Sequence, residues 1–114
     1  MNDEGKLCVV WSTADREVAE RLVLLYVTNG LRKQWWKRVR LMIWGPSQEL
    51  LCVDRRLRDG LAEAQEAGVE CMACRNCSDH YGLTGQLRDL GVEVLYTGQP
   101  LSEMLQSDWK VLTF

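Results

Sequence analysis

Lys6-Leu7-Cys8-Val9-Val10-Trp11 is the short run near the start of the chain that decides the fold class. From Leu7 onward its residues are apolar in succession, without the alternation expected of a strand that has one face in water. A continuous run of this kind is typical of a strand covered on both faces, as in a parallel sheet between layers of helices. The run therefore predicts a buried first strand in an α/β protein.

A helix is predicted directly after this strand. Between residues 15 and 33, apolar side chains recur at spacings of three and four, which places them on one face of a helix: Val18, Ala19, Leu22, Val23, Leu25 and Tyr26. Ser12, Thr13 or Asp15 supplies a side-chain oxygen that can cap the first helical turn. Gly30 allows this helix to end or bend.

Strands and helices continue to alternate to the end of the sequence. Further strands are predicted at 39–44, 69–74, 92–97 and 109–114, with helices at 47–67, 79–90 and 100–106. The helix at 47–67 can break at Asp54-Arg55-Arg56 or at Gly60. Each crossover is long enough for a right-handed connection. We therefore predict one three-layer, doubly wound α/β domain over residues 1–114, with a mainly parallel five-stranded sheet and helices on both faces.

The composition is that of an ordinary globular protein, with 46% hydrophobic and 26% charged residues and a formal net charge of −2. The densest basic cluster, at 33–40, is interrupted by Trp35 and Trp36 and is too short to follow a phosphate backbone. The longest apolar run, at 22–27, is too short to span a bilayer, and the polar residues 1–6 lack the apolar core of a signal peptide. We expect a cytoplasmic protein that binds neither nucleic acid nor membrane.

Three of the five cysteines and the only histidine recur at every third position in Cys71-Met72-Ala73-Cys74-Arg75-Asn76-Cys77-Ser78-Asp79-His80. In a reducing cytoplasm, clustered cysteines indicate catalysis, sulfur transfer or metal binding rather than a disulfide framework. Cys74 lies where the third strand leads into a helix, and unpaired amides at such a junction favour the thiolate. Cys77 completes a C-x-x-C spacing. Cys71 has the opposite strand parity and is expected to enter the other face of the sheet as an inert thiol.

The carboxyl ends of parallel strands gather at one edge of a sheet, where ligand sites form. We expect Cys74 and Cys77 to be the reactive residues at this edge, with the Cys74 sulfur reachable from solvent. The loops after the other strands are expected to line the same crevice, through Ser12, Thr13, Asp15, Gly45, Pro46, Ser47, Arg75, Asn76, Gly98 and Gln99. Cys8 and Cys52 lie in apolar stretches and are expected in the core.

Five segments carry a resemblance to a known family: Trp11-Ser12-Thr13 before Asp15-Arg16-Glu17, Ile43-Trp44-Gly45-Pro46-Ser47, Ala67-Gly68-Val69-Glu70-Cys71-Met72-Ala73-Cys74, Gly91-Val92-Glu93-Val94, and Trp109-Lys110-Val111-Leu112-Thr113-Phe114. Together they resemble the DsrE/DsrF-like family, small α/β proteins of sulfur oxidation and tRNA thiolation relays. The resemblance is to a subgroup of uncharacterised single-domain bacterial and archaeal members. It implies that Cys74, by position, accepts sulfane sulfur as a persulfide. It also implies homo-oligomers, commonly trimers or hexamers, or mixed hexamers with related chains.

The leading hypothesis is a sulfur carrier or sulfurtransferase-like relay protein, without a cofactor, that exchanges sulfur with donor and acceptor proteins. The competing class is a non-catalytic small-ligand-binding or oligomeric assembly module, and the third is a dithiol redox protein that uses Cys74 and Cys77. Cys71, Cys74, Cys77 and His80 also satisfy the ligand count of a zinc or iron–sulfur centre. Because the strand pleat turns Cys71 away from Cys74, we predict no metal site there.

Overall fold

The strands of the protein form one parallel sheet. In a computed structural model that describes residues 5–114, the sheet has the order β4-β3-β2-β1-β5, and every pair of neighbouring strands is parallel. The strands are β1 (Lys6–Trp11), β2 (Arg38–Ile43), β3 (Glu70–Cys74), β4 (Glu93–Leu95) and β5 (Lys110–Thr113). The predicted α/β class with a five-stranded parallel sheet is confirmed. The expectation about a signal peptide falls largely on residues 1–4, outside the described residues, and the domain limits of 1–114 stay a prediction.

Helices follow each of the first four strands. After β1 come α1 (Arg16–Val18), a π-helical segment (Ala19–Leu24) and α2 (Leu25–Arg32), which are continuous with one another. The remaining helices are α3 (Ser47–Val53) and α4 (Arg55–Ala67) after β2, α5 (Arg75–Tyr81) and α6 (Thr84–Asp89) after β3, and α7 (Gly98–Leu105) after β4. Among residues 5–114, no helix combines the length and apolar character needed to cross a membrane.

Aspartate side chains begin two of the helices on the sheet. Asp15 accepts hydrogen bonds from the backbone N–H groups of Glu17 and Val18 and thereby caps α1. Asp54 has an extended backbone, with φ −111° and ψ 110°, and its carboxylate accepts from the N–H of Leu57. Asp54 therefore ends α3 and caps α4, which confirms the helix break predicted at this position.

The single helix predicted at 79–90 is wrong in two respects. The helix begins at Arg75, directly after β3, and Gly82 ends it with a φ of +71°. Glycine adopts this left-handed conformation without steric cost, so the chain turns here and starts α6 as a separate element. The early start matters for function, because the first-turn amides of α5 lie immediately beside Cys74.

The two faces of the sheet are covered unequally. The face that we call the main core face packs against α2, α3, α4 and α6, and its strand residues include Leu7, Val9, Trp11, Val39, Leu41 and Ile43. The opposite face, here the α7 face, is covered by α7, and its buried residues are Cys8, Val10, Met42, Met72 and Met104. Cys8 and Cys52 are 0% and 8% exposed, so the prediction that they belong to the core is confirmed.

The topology places a switch point between β3 and β4. The chain runs from β1 to β4 in spatial order with its helices on the main core face, and then crosses to β5 through α7 on the other face. The loops that leave the neighbouring strands β3 and β4 therefore lead to opposite faces of the sheet. In open parallel sheets a ligand crevice forms at such a point, outside the carboxyl ends of the strands. The residues that follow β3 and β4 thus define the candidate site.

Candidate functional site

Cys74 is the last residue of β3 and the N-cap of α5, with φ −70° and ψ 117°. It is the register partner of Leu95 in β4 and has the same parity as Met72, so its side chain belongs to the α7 face. The side chain is only 4% exposed, so the expectation of a sulfur open to solvent is wrong for this conformation. The groups that surround the sulfur are polar: backbone amides, a hydroxyl and a second thiol.

The environment of Cys74 favours its thiolate. Burial by itself raises the pKa of the thiol, but nearby polar groups stabilise the thiolate and lower the pKa overall: the backbone N–H groups of Cys77 and Asn76, the Thr97 hydroxyl and the Cys77 thiol. The two N–H groups belong to the first turn of α5, where helical amides have no partner within the helix, and Thr97 lies just before α7. All of these groups stabilise the charged form of the thiol. The predicted activation of Cys74 by a helix N-terminus therefore has a structural basis.

Cys77 lies in the first turn of α5 and is partly buried. Burial raises the pKa of its thiol, and the nearby Cys74 sulfur raises it further, although the Gly45 N–H and the Trp44 indole act in the opposite direction. The pKa values of the two thiols are therefore shifted in opposite directions. Cys74 is the thiol of the pair that ionises more readily, because its pKa is lowered and that of Cys77 is raised.

Cys71 has a different environment, although it lies only three residues before Cys74. Its side chain packs against the main core face, and burial raises its pKa to about 12. The predicted difference in parity between Cys71 and Cys74 is thus observed. Across residues 5–114, no group of three His, Cys, Asp or Glu side chains converges in a way that could hold a metal ion.

The structure brings only some of the predicted crevice residues to the two thiols. Asn76 and Gly45 contribute backbone amides, to Cys74 and Cys77 respectively. Arg75 and Gly98 begin α5 and α7 on either side of the switch point, and Gln99 follows in the first turn of α7. These residues belong to the site because of where their backbones lie, rather than because of their side-chain chemistry.

The other predicted crevice residues have structural roles. Ser12 and Thr13 donate backbone hydrogen bonds to the carbonyl of Phe114, at 2.7 and 3.1 Å, and so join the end of β1 to the end of the chain. Asp15 is the cap of α1. Ser47 is fully buried, and its hydroxyl donates to the carbonyl of Trp11. Pro46 is the N-cap residue of α3. The Ser12 hydroxyl also donates to the carbonyl of Phe114, and the Thr13 hydroxyl accepts from the N–H of Asp15, so these side chains have structural partners, and their place in the crevice stays a prediction.

Two residues near Cys74 were not predicted from the sequence. Thr97 is 1% exposed, and within the described chain its hydroxyl has no well-formed hydrogen bond, although it lies close enough to the Cys74 sulfur to lower its pKa. The signal for Thr97 was available, because it lies two residues beyond the register partner of Cys74 and therefore has the same parity. Gln48 is fully buried and donates to the carbonyl of Cys74. Its sequence position, in a polar first helical turn, resembles that of a surface residue.

A contact between exposed side chains joins the segments that follow β3 and β4. The guanidinium carbon of Arg75 lies 5.7 Å from the centroid of the Tyr96 ring, and Nε of Arg75 lies 3.4 Å from a carboxylate oxygen of Asp79. Tyr96 is 64% exposed. Arg75 directly follows Cys74 and Tyr96 directly precedes Thr97 in the chain, so this exposed pair borders the site of the buried sulfur.

Comparison with known proteins agrees with this fold. The sequence model of the DsrE/DsrF-like family matches residues 49–114, a range that includes β3 and both site cysteines. A conserved protein of unknown function from Bacteroides thetaiotaomicron is 28% identical, with a TM-score of 0.94 over 100% of this chain and 98% of that one. No curated protein sequence matches this chain.

Two further solved structures share the fold at lower identity. The YchN protein of E. coli is 18% identical, with a TM-score of 0.71 over 96% of this chain and 99% of its own. A protein of unknown function from Methanobacterium thermoautotrophicum is 20% identical, with a TM-score of 0.75 over 96% of this chain and 97% of its own. At these identities the likeness is one of architecture.

Proposed function

Because this chain belongs to the DsrE/DsrF-like family, we propose that it is a cytoplasmic sulfur carrier that holds sulfane sulfur as a persulfide on Cys74. Membership of this family associates the fold of the chain with sulfur relay. The observation that carries the proposal is the lowered pKa of the Cys74 thiol at the switch point between β3 and β4. A thiolate, rather than a thiol, is the nucleophile that attacks a sulfane sulfur.

The proposed loading step is a thiol–persulfide exchange. The Cys74 thiolate attacks the outer sulfur of a donor persulfide, R–S–SH, so that a new S–S bond forms at Cys74 and the S–S bond of the donor breaks. The donor leaves as its thiolate and is protonated, and Cys74 then carries S–SH. In the unloading step, a cysteine of an acceptor protein attacks the terminal sulfur in the same way. Sulfur moves without net oxidation or reduction, and no cofactor takes part.

The same polar groups are suited to the loaded state. A persulfide anion on Cys74 would extend the negative charge by one sulfur atom, beside the amides of Asn76 and Cys77 and the hydroxyl of Thr97. Because Cys74 is 4% exposed, loading requires the crevice to open locally. Arg75 and Tyr96 are both exposed and border the site in sequence, which makes them the side chains whose displacement we propose for access.

The proposal is tested by incubating the reduced protein with a low-molecular-weight persulfide donor and mapping the products by mass spectrometry. We expect a gain of about 32 Da, one sulfur atom, on the peptide that contains Cys74. Cys74→Ser should abolish the adduct, and Cys71→Ala should retain it as the matched control. An unchanged mass in the wild-type protein would contradict sulfur transfer and support a non-catalytic binding or assembly module.

A dithiol redox function is the second candidate, because the thiols of Cys74 and Cys77 lie close enough to shift each other's pKa. In this function, the Cys74 thiolate attacks the disulfide of a small-molecule or protein oxidant, and Cys77 then displaces the second thiol. The chain gains one internal disulfide, and the oxidant is reduced to two thiols. A loss of about 2 Da on the linked peptides after incubation with a small-molecule disulfide such as oxidised glutathione, in place of the persulfide donor, would support this function.

We also propose that the chain forms a homo-oligomer, a trimer or a hexamer, through its α7 face. One helix covers this face, and Leu105 of that helix is 61% exposed. Beside it, the guanidinium groups of Arg38 and Arg40 both lie over the ring of Trp109 and both bind the carboxylate of Glu70. Light scattering of the purified protein gives the oligomeric state, and Leu105→Glu should yield monomers. Oligomers that persist in this variant would contradict an interface on the α7 face.

A further inference from the structure

We propose that Gln48 is a positioning residue that holds the Cys74 backbone in the conformation that activates its sulfur. Gln48 lies in the first turn of α3 and is 0% exposed. Its Nε2 donates two hydrogen bonds of 3.0 Å each, to the carbonyl of Ile43 at the end of β2 and to the carbonyl of Cys74 at the end of β3. One side-chain amide therefore links the carboxyl ends of two neighbouring strands.

The hydrogen bond from Gln48 to the carbonyl of Cys74 bears on the thiol pKa through the first turn of α5. The carbonyl of Cys74 belongs to the peptide unit that leads into α5, and the N–H groups of Asn76 and Cys77, which lower the thiol pKa, follow in the same helical turn. When the carbonyl is held, the orientation of this turn relative to the sulfur is held as well. Without the bond, the first turn of α5 can tilt, and its amides lose their alignment with the thiolate.

The hydrogen bonding of Gln48 argues against a purely stabilising role. Within residues 5–114, its Oε1 is buried without a hydrogen-bond partner, and such an acceptor lowers the stability of the folded state. A methionine of similar length would fill the same space without this acceptor, but it would leave the carbonyls of Ile43 and Cys74 without their donor. The benefit of glutamine at this position therefore lies in the two carbonyl groups that it holds, one of which is that of Cys74.

The inference rests on Cys74 as the sulfur acceptor, but its test reads the ionisation of the thiol rather than sulfur transfer. The alkylation rate of the Cys74 peptide by iodoacetamide is measured against pH in the wild-type protein and in Gln48→Met. We expect the pKa of Cys74 to rise by about half a unit to one unit in the variant, with a rate about twofold to threefold lower at neutral pH, since the higher nucleophilicity of a more basic thiolate offsets part of its smaller population. A failed persulfide assay in the wild type, with this shift intact, would overturn only the proposed function.

Gln65→Met is the matched control. Gln65 also donates from Nε2 to a backbone carbonyl, that of Leu90 at 3.1 Å, but at a site on α4 away from Cys74. The Gln65→Met variant should keep the pKa of Cys74 unchanged, whatever the effect of the substitution on the melting temperature. An unshifted pKa in a folded Gln48→Met protein, or an equal shift in Gln65→Met, would overturn the inference.

A measurement on the wild-type protein covers the case in which Gln48→Met does not fold. Because both hydrogens of the Gln48 amide are bonded and fully buried, they should exchange with solvent more slowly than those of the exposed Gln99 side chain in the same protein. NMR of the side-chain amide groups measures both exchange rates. Equal rates would show that the bond to the Cys74 carbonyl is not maintained, and the inference would fail.

Discussion

The two faces of the sheet differ in how many helices cover them, and the two cysteines of β3, one on each face, differ in their thiol pKa. On the main core face, the layer of helices leaves Val9, Leu41 and Ile43 at 0% exposure, and Cys71 on this side has a pKa of about 12. On the α7 face, one eight-residue helix provides the cover, and Cys74 at its border has a lowered pKa. Exposure does not explain the difference between the two thiols, because Cys74 is buried whereas Cys71 is only partly buried. The unpaired amides at the start of α5 explain it, because they lie beside Cys74 and not beside Cys71.

The face of the sheet on which a cysteine lies does not by itself set the pKa of its thiol. Cys8 also belongs to the α7 face, but it lies in the middle of β1 beneath Met104, and burial raises its pKa to about 11. Cys74 differs because it lies at the carboxyl end of its strand, where the amides of α5 begin. Cys8 and Cys74 belong to the same face, so a position at the carboxyl end of a strand, beside the first amides of a helix, is what activates the thiol.

The largest expected effect is a difference in alkylation rate between Cys74 and Cys71 in the native protein. With a pKa of about 12, Cys71 has very little thiolate at neutral pH, although its more basic thiolate is intrinsically more nucleophilic. At neutral pH, Cys74 should therefore react at least about a hundredfold faster with iodoacetamide, as measured by peptide mass spectrometry. In urea the two rates should become similar. Similar rates in the native protein would remove the contrast between the two faces.

A smaller effect is expected on the pH dependence of stability through Cys8. Its raised pKa means that the folded chain keeps the thiol proton more tightly, so the stabilising contribution is present below the unfolded pKa of about 8.5 and is lost as pH rises toward about 11. By pH 10 the loss should be about 2 kcal/mol. Urea unfolding at pH 7.5 and pH 10 should show a smaller decline for Cys8→Ala than for the wild type.

The control for this variant is Val10→Ala, which removes a neighbouring buried side chain of the α7 face without removing a titratable group. It should lower stability at both pH values and keep the full decline between them. If the declines of Cys8→Ala and Val10→Ala are equal, then Cys8 is not held neutral by burial, and position along the strand does not separate it from Cys74.

The smallest expected effect concerns the hydroxyl of Thr97. Thr97→Val keeps the shape of the side chain but removes a hydroxyl that stabilises the Cys74 thiolate, so the pKa of Cys74 should rise by about half a unit and the alkylation rate at neutral pH should fall about twofold. Thr97→Ser should restore the wild-type values. A Thr97→Val protein with an unchanged pH profile would leave the α5 amides and the Cys77 thiol as the groups that activate Cys74.

Sequence patterns were sufficient for much of the fold. Apolar runs identified every strand, and the capping residues Asp15 and Asp54 marked helix starts. The helix pair α5 and α6 was missed because the apolar spacing continues across Gly82, whose φ of +71° no spacing reveals. The predicted crevice included Ser12 and Ser47 because all carboxyl ends of a parallel sheet meet at one edge. In the sheet, however, β2 lies between β1 and β3, so the end of β1, where Ser12 follows, is one strand away from Cys74.

By itself, the sequence determined the parallel α/β class, the location of Cys74 at the junction of a strand and a helix, and the opposite orientation of Cys71, since hydrophobic periodicity and strand pleat are local properties. Only the tertiary structure decided that Thr97 and Gln48 meet Cys74 and that the sulfur is buried. The contacts between these residues join segments 23 to 26 positions apart in the chain, and it is the order of strands in the sheet that brings such segments together.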